Sequence, residues 1–176
     1  IIAGSAVSGY IDTAASDFLS AYIFSWLNLF SVAVGTFTVS ICGFLAAIYL
    51  VGETDNENFR LHFIKKAKHM SIAALVCGLL VFLAAWIEKI PLTDWIFGNA
   101  VGLVSISAAG LSLILLWYLL YKSRTKLIRI LAGFQVTMIL IATTYIHYPN
   151  IVLLKNGGHL SLLDHQGHAK TIESLG

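Results

Sequence analysis

The side chains best suited to bind a metal or a haem in this sequence are its six histidines. Two of them, His165 and His168, stand three residues apart beside Asp164, with His159 upstream, which is a partial metal-ligand pattern. A zinc site needs three or four convergent ligands, so this spacing favours an ordinary polar loop over a metal centre. The other histidines are isolated in sequence, at His62, His69 and His147.

A haem with two axial protein ligands requires a histidine deep in a helix and a second ligand on a facing helix. His69 precedes a long apolar run and His147 follows another, so the two rings are expected on opposite faces of a membrane. We therefore predict that this chain binds no haem or metal by itself and contributes no catalytic residue.

Other catalytic patterns are also missing from the sequence. It contains no glycine-rich phosphate loop, nucleophile elbow, paired-carboxylate motif or zinc-protease signature. All nine acidic residues fall outside the long apolar runs or at their rims. Proton relays and ion pathways usually place ionisable groups within the membrane, where such groups are costly and persist for function. This pattern disfavours a stand-alone transporter or pump.

The elements that position these residues follow from composition. The 176 residues are 58% hydrophobic and only 11% charged, against about 25% charged in a soluble domain. That composition excludes a disordered chain, a disulfide scaffold and a nucleic-acid binder. Four apolar runs are each long enough for a transmembrane helix of roughly 20 residues. We predict one all-α, polytopic domain over residues 1–176, with an extracytoplasmic tail at 149–176 and helices near 24–51, 69–88, 97–121 and 128–148.

The basic residues predict the orientation of these helices, because short cytoplasmic loops are enriched in lysine and arginine. Eight of the eleven basic residues fall in the first and third connections: Arg60, Lys65, Lys66, Lys68, Lys122, Arg124, Lys126 and Arg129. Those connections are predicted to face the cytoplasm and both ends of the sequence the outside. Trp26 and other aromatic residues near the helix ends are typical of the membrane interface.

Several small or weakly polar residues within the runs are candidates for helix packing. Gly98 and Gly102 have the small-xxx-small spacing that allows two helix backbones to approach. Asn28 and Gln135 carry carboxamides, which need a hydrogen-bond partner in lipid and are expected to find one on a neighbouring helix or subunit. An internal hydrogen bond is favoured over a ligand contact for both.

Local strings add a family resemblance. Residues 26–30 read Trp-Leu-Asn-Leu-Phe, and residues 46–53 end the first run as Ala-Ala-Ile-Tyr-Leu-Val-Gly-Glu. Tyr148 and Pro149 are followed by Leu-Ser-Leu-Leu-Asp, which ends at Asp164. The order of these strings resembles subunit II of cytochrome bd-type quinol oxidases, whose members commonly carry Trp-Leu-Asn-Pro-Phe at the first position. Leu29 replaces that proline and is expected to straighten the start of the helix, while Phe30 keeps the match.

The resemblance implies a haem-free subunit of a respiratory enzyme in the bacterial cytoplasmic membrane. Such an enzyme oxidises quinol and reduces oxygen to water, with haems b and d held in the partner, subunit I. Membrane lipid is an expected neighbour and a quinone a further candidate ligand. In this family further helices precede and follow the matching stretch, so residues 1–176 are expected to be an internal fragment.

Two alternatives from other classes stay open at this point. The chain could be half of a secondary carrier, in which broken helices near the membrane midplane would be expected. Neither Pro91 nor Pro149 interrupts a predicted span, which disfavours that alternative. A free-standing membrane scaffold of four helices is the other.

Overall fold

The structure is a computed structural model that describes residues 1–122 and 125–161, so the predicted role of Asp164 lies outside the described residues. It is an all-α bundle with one small β-hairpin, and four of its helices are long and apolar enough to cross a membrane. This confirms the predicted fold class. The elements are α1 (Ile2–Ser8), α2 (Phe18–Tyr22), α3 (Leu29–Glu53), α4 (Glu57–Ile87), α5 (Leu92–Phe97), α6 (Ala100–Tyr121), α7 (Thr125–Thr144), β1 (Asn150–Leu153) and β2 (His159–Ser161), with a single 3-10 turn at Tyr145–His147.

The long helices form two antiparallel hairpins, α3 with α4 and α6 with α7, and α3 also packs against α7. Two apolar clusters fill the space between them. One is centred on Ile48, Leu116 and Ile128 and the other on Phe30 and Ile96. We call the ends of the bundle nearest to these clusters the Arg129 end and the Asn28 end, after the residues that hold α3 there. α3 and α6 end at the Arg129 end, and α4 and α7 begin there.

The second long helix is considerably longer than the hydropathy pattern predicts, since α4 begins at Glu57 rather than near residue 69. Its first turns are amphipathic. Ile64 and Ala67 are buried in the core, whereas Lys65 and Lys66 are exposed. A hydropathy window averages these two faces and therefore misses a helix that is apolar on one side only.

The third predicted helix is broken near its start. Gly98 ends α5, Asn99 caps α6, and the Asn99 side chain accepts a hydrogen bond from the Gly102 N–H at 2.6 Å. The two glycines therefore do not lie on one continuous helix, which corrects the predicted small-xxx-small stripe. A side chain at Gly102 would collide with the Ile96 carbonyl, so this glycine permits the tight turn between α5 and α6.

A β-hairpin follows α7 within the predicted tail, and the sequence analysis did not predict it. β1 and β2 pair antiparallel, and Leu154 forms a parallel bridge with Ile11. The Lys155 ammonium lies 3.2 Å from the Asp12 carboxylate. These contacts tie the hairpin to the segment between α1 and α2.

Candidate functional site

Two side chains, Asn28 and Glu88, bind the first N–H groups of α3 at the Asn28 end. Asn28 precedes the helix and its Oδ1 accepts a hydrogen bond from the Ser31 N–H at 2.8 Å. The Glu88 carboxylate accepts from the Leu29 N–H at 2.8 Å and from the Phe30 N–H at 3.3 Å. Side chains thus satisfy three N–H groups that a helix start otherwise leaves without a partner.

Glu88 reaches this position because of the way α4 ends. α4 stops at Ile87, and Lys89 adopts a positive φ of 58° that turns the chain away from the helix axis. Ile90 and Leu92 then return to the core, so Glu88 is held beside the start of the antiparallel neighbour. A carboxylate is also favourable there because the start of a helix carries partial positive charge.

Sequence reasoning missed this role for Glu88, which it counted only among the acidic residues at the rims. In the sequence, Glu88 is only a single carboxylate at the end of an apolar run. The helix that packs against that run begins after Asn28, which the sequence does not reveal. The end of α4 and the start of α3 meet only in the tertiary structure. This arrangement follows from the hairpin and not from local spacing.

Two polar atoms at this end are buried without a hydrogen-bond partner within the described part of the chain. They are the Asn28 Nδ2 and the Ser31 Oγ. Ser31 is covered by α1, since a side chain added at Gly4 would press on the Ser31 Cα. The Asn28 carboxamide uses its oxygen to cap its own helix, which is an internal hydrogen bond, and not to bond a neighbouring helix as the sequence led us to expect.

Burial, charge and hydrogen bonding also shift the pKa values of three residues in the segment between α1 and α2. Burial, with a further contribution from the Glu88 charge, raises the pKa of the Tyr10 phenol above its ordinary value. The pKa of Asp12 is lowered by a hydrogen bond from the Ala14 N–H and by Lys155. The pKa of Asp17 is lowered by the Ser20 N–H and hydroxyl. These two carboxylates are therefore ionised at neutral pH.

The other predicted site residues are spread over the bundle. Trp26 is 41% exposed, and its indole N–H donates to the Tyr22 carbonyl at 2.7 Å. Phe30 is 2% exposed and belongs to the core. Gln135 is half-buried on α7, and its Oε1 has no hydrogen-bond partner among the described residues. The structure brings Asn28 and Phe30 together at the start of α3 and leaves Gln135 on another helix.

The opposite end of α3 is held by a cation. An Nη atom of Arg129 donates to the Tyr49 carbonyl at 2.9 Å and to the Glu53 carboxylate at 2.6 Å. The guanidinium also lies over the Tyr49 ring, 5.6 Å from its centroid. Gly52 makes the approach possible, because a side chain there would collide with the guanidinium. The last carbonyls of a helix favour a cation, so α3 has charges of the favourable sign at both ends.

His69 and His147 are the two histidines that border the apolar runs. His69 Nδ1 lies 2.8 Å from the Lys65 carbonyl on α4, and the His147 ring packs edge-on against Trp95 at the Asn28 end, with centroids 4.5 Å apart. His69 lies near the middle of α4, next to Met70, which packs on Gly43 of α3, whereas His147 follows α7, so the two rings lie at different depths along the bundle. Over residues 1–122 and 125–161, no three metal-binding side chains are grouped as a metal site requires.

Comparison with known proteins supplies the family. No curated protein and no solved structure matches this chain. A family model described as cytochrome bd terminal oxidase subunit II matches residues 1–175, which is nearly the whole sequence. The four apolar helices agree with a membrane subunit of this kind. The chain therefore belongs to the cytochrome bd terminal oxidase subunit II family.

Proposed function

We propose that this chain is the haem-free subunit of a cytochrome bd-type terminal oxidase and that it stabilises a haem-bearing partner, subunit I. The observation that carries the proposal is family membership over residues 1–175. In the proposed complex, quinol oxidation is coupled to reduction of oxygen to water, and haems b and d reside in the partner. The Arg129 end faces the cytoplasm of a bacterial cell, in keeping with its basic residues.

The positions of the histidines support a haem-free role. His69 lies near the middle of α4, whereas His147 follows α7 at the Asn28 end and packs against Trp95. A haem with two axial protein ligands needs both at one depth, and these two rings lie at different depths. The chain's own contribution is then to present rigid helices to subunit I rather than to carry electrons.

The surface of the spans supports a subunit that works within an assembly. In each span, only between 17% and 28% of the most apolar stretch of 18 residues is buried inside this chain. Exposed apolar side chains such as Val39, Leu79 and Leu111 cover the remainder. That surface is suited to membrane lipid and to helices of a partner, with a bound quinone as a further candidate.

The alternative of half a secondary carrier gains no support from the helices. Carriers of that class place interrupted helices near the membrane midplane to hold their substrate. α3, α4, α6 and α7 are each continuous, and the break between α5 and α6 lies at the Asn28 end rather than at mid-depth.

Purification of the full-length chain from native membranes tests the proposal. A tag on the chain should recover a polytopic partner together with haem absorption bands. After the subunits are separated, the bands should stay with the partner. A preparation without haem and without a partner would contradict the subunit role. A Soret band that follows this chain alone and disappears in His69→Ala or His147→Ala would contradict the haem-free role.

A further inference from the structure

The ten residues before Asn28, the N-cap of α3, form a largely exposed aromatic segment. Residues 18–27 include α2 and the turns that follow it, and none of them is ionised. Its large side chains are mostly exposed: Phe18 69%, Leu19 51%, Tyr22 66%, Phe24 54%, Trp26 41% and Leu27 48%. We call residues 18–27 the aromatic segment.

Nothing in the described chain accounts for the helical conformation of α2. This helix has five residues and none of them is buried. No other described element packs extensively against it. Isolated helices shorter than about 12 residues are marginal in water, even with a cap such as Asp17. We therefore expect an environment outside this chain to stabilise the aromatic segment.

The depth of the segment follows from α3. A helix of 25 residues is about 37 Å long, more than the roughly 30 Å of hydrocarbon in a bilayer. Asn28 and Glu88, which are polar and charged, mark its start and belong at the boundary of the hydrocarbon. The residues immediately before Asn28 therefore lie in the headgroup layer rather than deep in the acyl chains.

The hydrogen bonds within the segment suit that layer. The Ile23 N–H donates to the Leu19 carbonyl at 2.9 Å and the Leu27 N–H donates to the Ile23 carbonyl at 2.9 Å. The Trp26 indole N–H is bonded to the Tyr22 carbonyl. Because these donors are satisfied, the rings can enter an apolar layer without leaving them unpaired. Tyrosine and tryptophan are enriched at this depth in membrane proteins.

We propose that the aromatic segment is an interfacial anchor, seated in the phospholipid headgroup layer at the Asn28 end. Its occupant is lipid rather than protein. The segment offers exposed rings without a charged side chain, and it is continuous with the exposed apolar residues Leu29 and Val32 at the start of α3. It fixes the depth of α3, while the ionised Asp17 at its beginning stays on the aqueous side.

Spin-label accessibility in the assembled complex tests this anchor. Cys42 and Cys77 are replaced by alanine, a nitroxide is attached to a cysteine at Phe24 or, separately, at Leu27, and the complex is reconstituted in phospholipid nanodiscs. The signal of the parent without the new cysteine is subtracted. Val39, 71% exposed in the middle of α3, is the control for the acyl region, and exposed Asn56 is the aqueous control.

Labels at Phe24 and Leu27 should collide more often with oxygen than with a water-soluble nickel chelate, at a depth of about 5–10 Å into the headgroup and acyl boundary. Both depths should be shallower than that of Val39. Nickel accessibility equal to that of Asn56 would contradict the proposal, because the segment would be in water. An immobilised label excluded from both reagents would also contradict it, because a protein would then cover the segment. Two labelled sites keep the test open if one variant fails to assemble.

Discussion

The two ends of α3 are both held by a charged side chain from another element, but the elements differ. At the Asn28 end the charge is Glu88, which follows α4, the hairpin partner of α3. At the Arg129 end the charge is Arg129 of α7, which belongs to the other hairpin. The first contact therefore closes one hairpin, whereas the second joins the two hairpins. Loss of the second should disturb the bundle more.

The burial of the Arg129 side chain also indicates that loss of its contacts should disturb the bundle more than loss of the Glu88 contacts. The Arg129 side chain is 27% exposed, and its guanidinium bonds a helix carbonyl in addition to the Glu53 carboxylate. Its Nε is buried without a partner within the described residues, so the side chain is held there by the contacts of its terminal nitrogen. Glu53 is 72% exposed and adds less, because exposed ion pairs are worth little.

Arg129→Gln should have the largest effect. It removes the hydrogen bonds to Tyr49 and Glu53 and the cation at the end of α3, at an expected cost of about 2–3 kcal/mol in the free energy of unfolding. The measurement is unfolding of the assembled complex by detergent titration. Glu53→Gln is the matched control and should cost less than half as much. Equal losses in both variants would show that the ion pair, rather than the bond to the α3 carbonyl, joins the hairpins.

Glu88→Ala should come next. It leaves the Leu29 and Phe30 N–H groups without their acceptor, and we expect a loss of about 1–2 kcal/mol. Glu88→Gln keeps an acceptor but loses the charge, so it separates hydrogen bonding from the interaction with the helix dipole. The same titration compares the two. If Glu88→Ala unfolds at the parental midpoint, the cap at this end does not contribute to stability.

Asn28→Ala should cost about 1 kcal/mol, the usual value for the loss of an N-cap side chain. Asn28→Asp retains the acceptor for the Ser31 N–H and should stay close to the parent. Asn28→Leu should lower the yield of the complex while the haem spectra of what assembles stay normal. A larger loss in Asn28→Asp than in Asn28→Ala would mean that repulsion between the new carboxylate and Glu88 outweighs the retained cap, because both variants lack the Nδ2.

Leu29→Pro should have the smallest effect. Proline lacks the N–H that bonds Glu88, but it is well accommodated at the first position of a helix. Loss of the hydrogen bond lowers the free energy of unfolding, whereas the more restricted unfolded chain raises it. The net change in the free energy of unfolding should therefore lie within about 0.5 kcal/mol of zero. A loss comparable to that of Glu88→Ala would show that the bond to Leu29 carries most of the cap.

The two ends of α3 also show how far the sequence leads. Charge-free runs predict four long helices, because each must cross the same hydrocarbon thickness. They do not predict the start of α3 at Leu29, because residues 24–27 are nearly as apolar as the helix itself. Leu29 is the first residue of α3, a position that accepts proline without a bend, and its N–H donates to Glu88.

The candidate site was only partly predictable for a related reason. Asn28 could be found because a carboxamide in an apolar run needs a partner. Glu88 and Arg129 could not, because their roles depend on which helix ends meet in the folded bundle. Gly52 shows the same limit, since its importance comes from an arginine that follows far along the chain.

If this chain supports the oxidase structurally and takes no part in its chemistry, assembly and turnover should respond differently to the loss of either charge. The most direct test measures assembled oxidase and oxygen consumption per haem for Arg129→Gln and Glu88→Ala against the parent at equal expression. We predict that the yield falls, further for Arg129→Gln, and that turnover per haem is unchanged in what assembles. An unchanged yield with a collapse in turnover per haem would contradict the structural role, because a charge at one end of α3 would then belong to the reaction path.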